Sequence, residues 1–260
     1  MRQHHKMLLC QFLIQTSALL GTIYYWNSFN LWWFIVLLLG IIVFSFGGLC
    51  CYYHRYCSHN SFYLDSTTEK VIHYLSILNM QGSAILWSSN HITHHKYSDK
   101  DGDPHPGSEG LKTWFWWNTY NNSKLNAFKV KKMLKNPMYK YTHNNYFKLY
   151  FAMMFMFIFI NPIFTLYFIL IPVTYTFYGT SFINVLTHRY GYRNFNTPDL
   201  STNLPMPLWD GLHNNHHKYP NRYDTSIKWY EIDLSAKLIN FYKFVRRQTN
   251  DVQETKKQTS

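Results

Sequence analysis

Charged side chains are absent from two long stretches of this sequence. No Asp, Glu, Lys or Arg occurs from Met7 to Tyr53 or from Leu149 to Thr187. Soluble proteins rarely contain helices this long without a charge on either face, so core helices of a soluble protein are the less favoured interpretation. A bilayer-spanning helix needs roughly 20 mostly apolar residues, so each stretch has room for two.

The two uncharged stretches predict four transmembrane helices in two hairpins. We expect the first pair at about 7–26 and 31–53, and the second pair at about 147–160 and 162–187. A helix start at Asn161-Pro162 is favoured, because Asn can cap a helix and Pro suits its first turn. No small-residue cleavage site follows the first apolar run, and a second run comes at once, so we expect an anchor rather than a cleaved signal peptide.

The positions of the basic residues predict the orientation. Two hairpins place residues 1–6, 54–148 and 188–260 on the same side, and these segments contain every Lys and Arg of the chain. The positive-inside rule assigns that side to the cytoplasm, in either the endoplasmic reticulum or a bacterial inner membrane. The expected fold class is therefore an all-α, multi-pass integral membrane protein with both termini cytoplasmic. A cytoplasmic helical cap is expected over 54–146 and 188–245.

Several familiar metal and redox motifs are also missing. The four cysteines lack the spacing of a zinc finger, and disulfides are not expected on the cytosolic side, so we interpret them as apolar packing residues. The H-E-x-x-H motif of zinc peptidases and the Glu-x-x-His motif of carboxylate di-iron bundles are both absent.

The chain has 14 histidines instead. His91-Ile-Thr-His94-His95 and His213-Asn-Asn-His216-His217 share one spacing. Positions i, i+3 and i+4 lie on one face of a helix, and neutral imidazole is a common metal ligand. One such motif could arise by chance in a chain with this many histidines, but its repetition favours a metal site.

Further candidate ligands flank the uncharged stretches. The second helix exceeds the ~30 Å hydrocarbon thickness at about 1.5 Å per residue, so His54 should reach the cytoplasmic surface. His59 cannot share an α-helical face with His54, and a bend or helix end near Ser58 would bring both to one metal. Asn184 and His188 lie at i and i+4 after the last apolar helix. These residues bring the expected set of ligand histidines to nine.

Two other histidines do not fit these patterns. We expect His73 to be a packing residue and His105 to lie in a loop, at most beside the ligands. An all-nitrogen donor set suits iron, zinc and copper alike. Nine histidines exceed the coordination of one ion, so we expect two metals. A pair of irons could activate O₂ and oxidise a lipid-soluble chain.

Taken together, these elements resemble those of the membrane fatty acid desaturase family. The segments His54-Arg-Tyr-Cys-Ser-His59, His91–His95, Asn184-x-x-x-His188 and His213–His217 look like its H-R-x-x-x-H, H-x-x-H-H, N-x-x-x-H and H-N-x-H-H motifs. The resemblance covers about residues 20–230 and points to the stearoyl-type acyl-CoA and acyl-lipid Δ9 desaturases.

The resemblance implies a function and a ligand set. It implies O₂-dependent insertion of a cis double bond, most typically at Δ9, into a saturated acyl chain at a di-iron centre. One iron would be held by His54, His59, His91, His95 and His216. The other iron would be held by His94, His188, His213 and His217, with Asn184 reaching it through a water. No catalytic residue is expected beyond these ligands, and Trp87 is expected to contact the substrate.

The resemblance also implies partners and domain limits. Two electrons would come from cytochrome b5 or a ferredoxin with its reductase; membrane lipids are expected as partners and nucleic acid is not. Residues 1–245 would form a single desaturase domain, and the polar tail 246–260 is predicted to be disordered.

One difference from the family leaves the acyl carrier open. Acyl-CoA members commonly carry Arg-Asp before the second histidine motif, where this chain has Ser89-Asn90. A CoA-linked, lipid-linked or carrier-linked chain therefore remains possible. A hydroxylase of the same superfamily, acting on a fatty acid, sterol or alkane, is the alternative function. A non-catalytic membrane metal-binding protein is a third interpretation.

Overall fold

The computed structural model describes residues 3–116, 125–128, 130–206 and 209–258, and helices connected by loops make up nearly all of their regular secondary structure. Within that part, the only β pairings are isolated bridges that join Tyr192, Asn203 and Leu212. The helices, in chain order, are Gln3–Tyr24, Leu31–Ser58, Ser66–Ile77, Ala84–Tyr97, Leu111–Trp114, Lys131–Lys135, Pro137–Asn144, Tyr146–Ile160, Pro162–Leu186, His213–Lys218 and Leu234–Gln258. The predicted all-α class is confirmed for these residues.

Three of the helices are long and apolar enough to cross a membrane. They are the first span, His5–Tyr24, the second span, Leu31–Ser58, and the third span, Pro162–Leu186. The expected fourth membrane helix corresponds to Tyr146–Ile160, whose 15 residues fall short of the roughly 20 that cross a bilayer. The arrangement of four helices in two hairpins therefore stays a prediction.

Asparagine side chains begin two of the spans. The Asn30 side chain accepts a hydrogen bond from the Trp33 amide at 3.2 Å, and Asn161 accepts one from the Phe164 amide at 3.0 Å. Pro162 occupies the first turn of the third span, so the predicted start at Asn161-Pro162 is confirmed. These caps satisfy amide groups that would otherwise lack a partner at the helix start.

The second span lies at the centre of the fold. It is α-helical over Leu31–Ile41 and π-helical over Ile42–Ser58, where its residues are mostly buried. A β-carbon added at Gly40 would stand 2.3 Å from the carbonyl oxygen of Phe168, so only glycine lets the second and third spans approach this closely. The span therefore runs five residues past its predicted end at residue 53.

An apolar core joins the spans to the shorter apolar helix. Its buried members are Cys10, Ile14, Phe44, Ile77, Leu78, Met80, Tyr146, Tyr150, Met154, Ile169 and Val173. The outward faces carry exposed apolar side chains such as Phe12, Leu19, Trp32 and Phe159, which suits contact with lipid. All four cysteines are free, and Cys57 is the half-buried one.

The last helix, Leu234–Gln258, packs beside the C-terminal end of the second span. The Cys51 thiol lies 3.6 Å from the carbonyl oxygen of Ser235, and the Tyr242 hydroxyl donates to Asp65 at 2.9 Å. The helix continues into 246–260, the segment predicted to be disordered, while the limits of the single domain stay a prediction.

Candidate metal centre

The second span supplies the first two histidines of the site. His54 lies within its π-helical part, and His59 follows its last residue, Ser58. Hydrogen bonds from i to i+5 place residues five apart about one turn above each other, so the two rings approach to 5.2 Å between centroids. The expected helix end near Ser58 is confirmed, but the π-helical winding was not predicted.

Two short helical segments supply most of the others. Helix Ala84–Tyr97, capped by the Ser83 hydroxyl, carries the second histidine motif, and helix His213–Lys218 carries the third. His188 follows the end of the third span at Leu186. Neighbouring histidines in each motif point to different sides, so both motifs contribute to two groups of rings.

The first group contains five histidines whose ligand atoms lie within 4.8 Å of one another: His54, His59, His91, His95 and His216. Their Nε2 atoms converge. The Nε2 of His216 lies 2.9 Å from that of His54, and the Nε2 of His91 lies 2.8 Å from that of His59.

The second group contains His94, His188, His213 and His217, again within 4.8 Å of one another. The Nε2 atoms of His188 and His213 are 3.0 Å apart. The groups adjoin, with 4.4 Å between the ring centroids of His95 and His217. The two groups are the same two sets that the resemblance assigns to two irons; that they bind metal stays a prediction.

Four aspartates accept hydrogen bonds from the outer nitrogens of these rings. The Nδ1 atom donates to Asp210 from His54 at 2.7 Å, to Asp103 from His94 at 2.9 Å, to Asp99 from His188 at 2.8 Å and to Asp199 from His217 at 2.8 Å. None of the four aspartates was predicted from the sequence. Their positions could have indicated them, because the chain has only 13 acidic residues and three of these four aspartates lie within ten positions of a histidine motif.

The hydrogen bonds test whether a metal fits. A carboxylate only accepts, so Nδ1 of His94 and His217 must carry the proton and Nε2 must carry a lone pair. Both Nε2 atoms are buried and have no hydrogen-bond partner among the residues that the structure describes. A buried acceptor without a donor is costly, and a cation between the rings would remove that cost. The residues therefore fit a bound metal.

Burial keeps the imidazoles in the form that binds metal. It lowers the pKa of His91, His95, His213 and His216 well below the ordinary value, and neighbouring histidines lower it further by like-charge repulsion. Burial also lowers the pKa of His217 to about 4, against the opposing hydrogen bond to Asp199. A metal ligand must be the neutral imidazole, which these rings are at neutral pH.

The aspartates stay ionised despite their burial. Burial alone would raise the pKa of Asp103, but the electrostatic interaction with the adjacent His94 ring and the hydrogen bond from its Nδ1 lower that pKa below the usual range. Asp199 is held low in the same way by His217. An ionised carboxylate behind each ring fixes its tautomer and orientation and makes it a better ligand.

The sequence is similar to those of known proteins. Residues 30–240 match the family model described as fatty acid desaturase. The chain belongs to the fatty acid desaturase family. The sn-2 palmitoyl-lipid 9-desaturase of Nostoc sp. (strain 36) is 30% identical over 227 residues, 78% of each chain. Delta-9 acyl-lipid desaturase 1 of Arabidopsis thaliana is 29% identical over 231 residues, 84% of this chain and 75% of that protein.

A further similar protein differs in reaction and carrier. Acyl-CoA 5-desaturase AL21 of Anemone leveillei is 28% identical over 205 residues, 74% of this chain and 63% of that protein. The predicted family is therefore confirmed, and the protein is a membrane enzyme, an oxidoreductase of fatty acid metabolism.

A buried arginine of the desaturase supports the first histidine motif. Arg55 donates to Asp210 at 2.6 Å and forms an ion pair with Asp233 at 2.9 Å. It also donates to the carbonyl oxygen of Tyr223. Because Asp210 holds His54 as well, Arg55 links the position of this ring to the start of the last helix.

Two narrow cavities of the desaturase meet beside the histidines, and both are lined by Trp87, His91, Thr180 and Asn184. One extends between the second and third spans, along Ser45, Leu49, Cys50, Thr176, Gly179 and Ile183. The other extends past Leu86 and His105 towards Asn90. Asn184 lines both cavities, one of them together with His213 of the second group, and its contact with a metal through a water stays a prediction.

Trp87 is held rigidly at the junction of the cavities. Its indole stacks on the His91 ring, with centroids 5.0 Å apart and planes 19° apart. Its Nε1 donates to Gln81 at 3.2 Å, and the Gln81 amide donates to the Thr180 hydroxyl at 3.3 Å. A shape fixed in this way can hold a flexible chain in one path.

The remaining predicted histidines lie outside the two groups. His73 contacts the hydroxyls of Tyr52 and Thr142, at 2.7 and 2.8 Å, in agreement with a packing role. His105 is buried in its loop with its ring centroid 4.3 Å from that of His94, so it stands beside a candidate ligand.

Proposed function

We propose that this desaturase inserts a cis double bond at the Δ9 position of a saturated acyl chain, using O₂, two electrons and two irons. The observation that carries the proposal is the convergence of nine histidines in two adjoining groups beside a narrow cavity between the spans. Bound iron would supply the O₂ chemistry that no side chain can perform. Because the donor set would also suit zinc or copper, the choice of iron follows from the family.

The proposed ligands follow the two groups. One iron would be held by His54, His59, His91, His95 and His216. The other would be held by His94, His188, His213 and His217, with Asn184 reaching it through a water. The protein itself orients the rings through four aspartates and keeps the imidazoles neutral by burial.

Positioning of the acyl chain would select the carbon atoms. The chain would lie in the cavity between the spans and pass the indole of Trp87, which Gln81 and His91 hold in place. A misplacement of about 1 Å can cost about 100-fold in rate. The Δ9 position is supported by the names of the Nostoc and Arabidopsis relatives, whereas the Anemone protein is named as a 5-desaturase.

A lipid-linked acyl chain is the proposed substrate. Ser89 stands where acyl-CoA members carry Arg; it is fully buried, and its hydroxyl accepts a hydrogen bond from the Asn126 amide at 2.8 Å. Such a side chain contributes no charge for a CoA phosphate. The Nostoc and Arabidopsis relatives are both named as lipid desaturases.

Electrons are proposed to come from cytochrome b5 or a ferredoxin with its reductase. The chain has 25 basic and 13 acidic residues, a net charge of +12, which favours docking of an acidic carrier. The histidine groups and both termini are proposed to face the cytoplasm, where the carrier and its reductase would be found.

Expression in a desaturase-deficient host tests the proposal. Gas chromatography of total fatty acids should reveal a new cis-Δ9 monounsaturated acid, and the purified protein should contain two irons. His94→Ala should abolish the product while the protein still inserts in the membrane. His143→Gln, outside both groups, is the matched control and should retain activity. An alcohol in place of the alkene would instead identify a hydroxylase.

A further inference from the structure

A row of aromatic side chains leads from the candidate metal centre into the end of the second span that carries His54. It begins at His91, whose ring stacks on Trp87 at 5.0 Å between centroids. The Tyr53 ring follows at 5.9 Å from Trp87, and the Tyr52 ring at 5.8 Å from Tyr53. Trp and Tyr are the side chains most easily oxidised by one electron, so this row can carry electrons.

The row ends in a chain of buried hydrogen bonds. The Tyr52 hydroxyl lies 2.7 Å from Nδ1 of His73 and 2.9 Å from the Tyr139 hydroxyl, which donates to the Glu69 carboxylate at 2.6 Å. The Tyr52 side chain is 1% exposed. These contacts bind the second span to helices Ser66–Ile77 and Pro137–Asn144.

The carboxylate sets the direction of the whole chain. Glu69 only accepts, so Tyr139 must donate to it, and the Tyr139 oxygen then accepts the proton of Tyr52. Nδ1 of His73 lies 2.7 Å from the Tyr52 oxygen at the other end of the chain, and burial lowers the pKa of His73 to about 4, so this ring is neutral at neutral pH. The Tyr52 and Tyr139 protons therefore both point towards Glu69.

We propose that Trp87, Tyr53 and Tyr52 form a path for electron transfer, which we call the escape route. Along this path an electron from Tyr52 reduces the oxidant at the metal centre when no acyl chain is present to react. This inference rests on the proposed O₂-dependent function. A phenol gives up an electron readily only if its proton can leave at the same time. Tyr52 has such a path, whereas the Tyr53 hydroxyl donates to the carbonyl oxygen of Gly82, which cannot take up a proton.

The step balances as follows. Tyr52 loses one electron, which passes through Tyr53 and Trp87 to the O₂-derived oxidant, and that oxidant is reduced by one electron. The Tyr52 proton moves to Tyr139 as the Tyr139 proton moves to Glu69. The products are a neutral tyrosyl radical at Tyr52 and a protonated Glu69. A one-electron reductant of the class that serves the enzyme, an iron–sulfur or haem protein, then restores the phenol with the returning proton.

The redox chemistry of the side chains decides when electrons move along the row. Tyr and Trp release electrons only to strong oxidants, so no electron would pass along the row while the centre is being reduced by its carrier. Transfer would begin only after O₂ has been activated. With an acyl chain in the cavity beside Trp87, the chain would be oxidised first.

Freeze-quench electron paramagnetic resonance tests the proposal on the full-length iron-loaded enzyme. The reduced enzyme is mixed with O₂ without acyl substrate, and the organic radical is recorded with ordinary and ring-deuterated tyrosine. We expect a tyrosyl signal that deuteration narrows. The signal should be lost in Tyr52→Phe, which removes the phenol that is oxidised, and kept in Tyr53→Phe, which retains the ring that the electron crosses.

Tyr150→Phe is the matched control, because Tyr150 is a buried tyrosine of the apolar core outside the row. It should leave the signal unchanged. Mass spectrometry should find more oxidised His91 and Trp87 in Tyr52→Phe than in Tyr150→Phe after equal exposure to O₂. Glu69→Gln keeps a hydrogen-bond acceptor but removes the proton acceptor, and should also lose the signal.

Two results would overturn the escape route. One is the absence of a tyrosyl signal in an enzyme that forms unsaturated product when substrate is added. The other is a tyrosyl signal that persists in Tyr52→Phe. An iron-loaded enzyme that forms no unsaturated product would instead contradict the proposed function.

Discussion

At the scale of single residues, four aspartates, whose side chains are at most 12% exposed, decide which nitrogen of four histidines is free. Each aspartate holds the proton of Nδ1, so that Nε2 of the same ring faces the interior of its group. A ring without such a partner could rotate or exchange tautomers. The candidate centre therefore depends on the aspartates as much as on the rings that would bind metal.

Loss of one of these charges should weaken metal binding. Asp103→Asn keeps the shape of the side chain and can still accept hydrogen bonds, but it removes the negative charge behind His94. We expect a loss of about 10- to 100-fold in iron affinity or activity, as is typical for such partners. Iron content at limiting iron measures the first, and product formation measures the second.

Asp101→Asn is the control, because Asp101 lies on the same loop and is exposed to solvent. It should bind iron like the unchanged enzyme. Equal iron content and activity in Asp103→Asn and Asp101→Asn would contradict the role assigned to Asp103.

The buried His73 should make the fold sensitive to acid. Burial lowers its pKa from 6.5 to about 4. The unfolded chain therefore binds a proton below pH 6.5 while the folded protein does not, so stability is intact above that pH and falls as the pH drops towards 4. Between pH 7 and pH 5 this group should remove about 2 kcal/mol of stability.

Thermal unfolding in detergent at the two pH values measures this effect. His73→Gln cannot titrate, so the difference between pH 7 and pH 5 should shrink by about 2 kcal/mol relative to the unchanged protein. A difference of the same size in both proteins would show that His73 is not the group responsible.

At the scale of elements, the second span combines an α-helical part and a π-helical part, and each part has its own structural role. Its α-helical half crosses closely over the third span at Gly40, and its π-helical half presents His54 and His59 to the same group. The close crossing requires a residue without a side chain at position 40. The approach of His54 and His59 requires the wider turn of a π-helix. Both depend on backbone geometry rather than on the chemistry of side chains.

A side chain at Gly40 should force the spans apart. In Gly40→Ala, the new carbon would meet the carbonyl oxygen of Phe168 at 2.3 Å and Pro172 at 2.6 Å. Such overpacking typically costs about 1–3 kcal/mol. We expect a lower melting temperature in detergent and less monodisperse protein in size-exclusion chromatography.

Gly47→Ala, in the same span, is the matched control. Its new carbon would lie 3.2 Å from the carbonyl oxygen of Ile42 and 3.5 Å from the Ile72 side chain, where a small shift is enough. This variant should melt close to the unchanged protein. Equal destabilisation by both changes would mean that the crossing at Gly40 is not the tight contact.

At the scale of the whole molecule, function requires every histidine segment to lie on one side of the membrane. The nine rings come from four separate segments of the sequence and meet in two adjoining groups. This meeting is possible only if the chain returns to the same side after each hairpin. The cytoplasmic location of that side stays a prediction from the basic residues.

Cysteine labelling tests this topology. Ser28→Cys lies in the exposed turn after the first span and Lys100→Cys in the exposed loop after the second histidine motif. In a Cys57→Ser background, a membrane-impermeant maleimide should label residue 28 only from the non-cytoplasmic side and residue 100 only from the cytoplasm. Labelling of both from one side would exclude the predicted hairpins.

The sequence alone determined the class of the protein and its candidate ligands. Uncharged stretches can only be apolar helices buried in lipid or protein, because every charge in a bilayer is costly. Histidine spacing can likewise be read from the sequence alone, since positions i, i+3 and i+4 share a face whenever the segment is helical. For this reason the same spacing in His91–His95 and in His213–His217 was enough to select these histidines as candidate ligands.

Tertiary structure decided how the ligands are oriented and what surrounds them. Asp199 and Asp210 reach His217 and His54 only through folding, because sequence separation carries no record of which loop turns back on which helix. The π-helical pairing of His54 and His59 was equally hidden, because a helix that is buried on nearly all sides shows no readable period. The path from Trp87 through Tyr53, Tyr52 and Tyr139 to Glu69 exists only where four separate helices pack together.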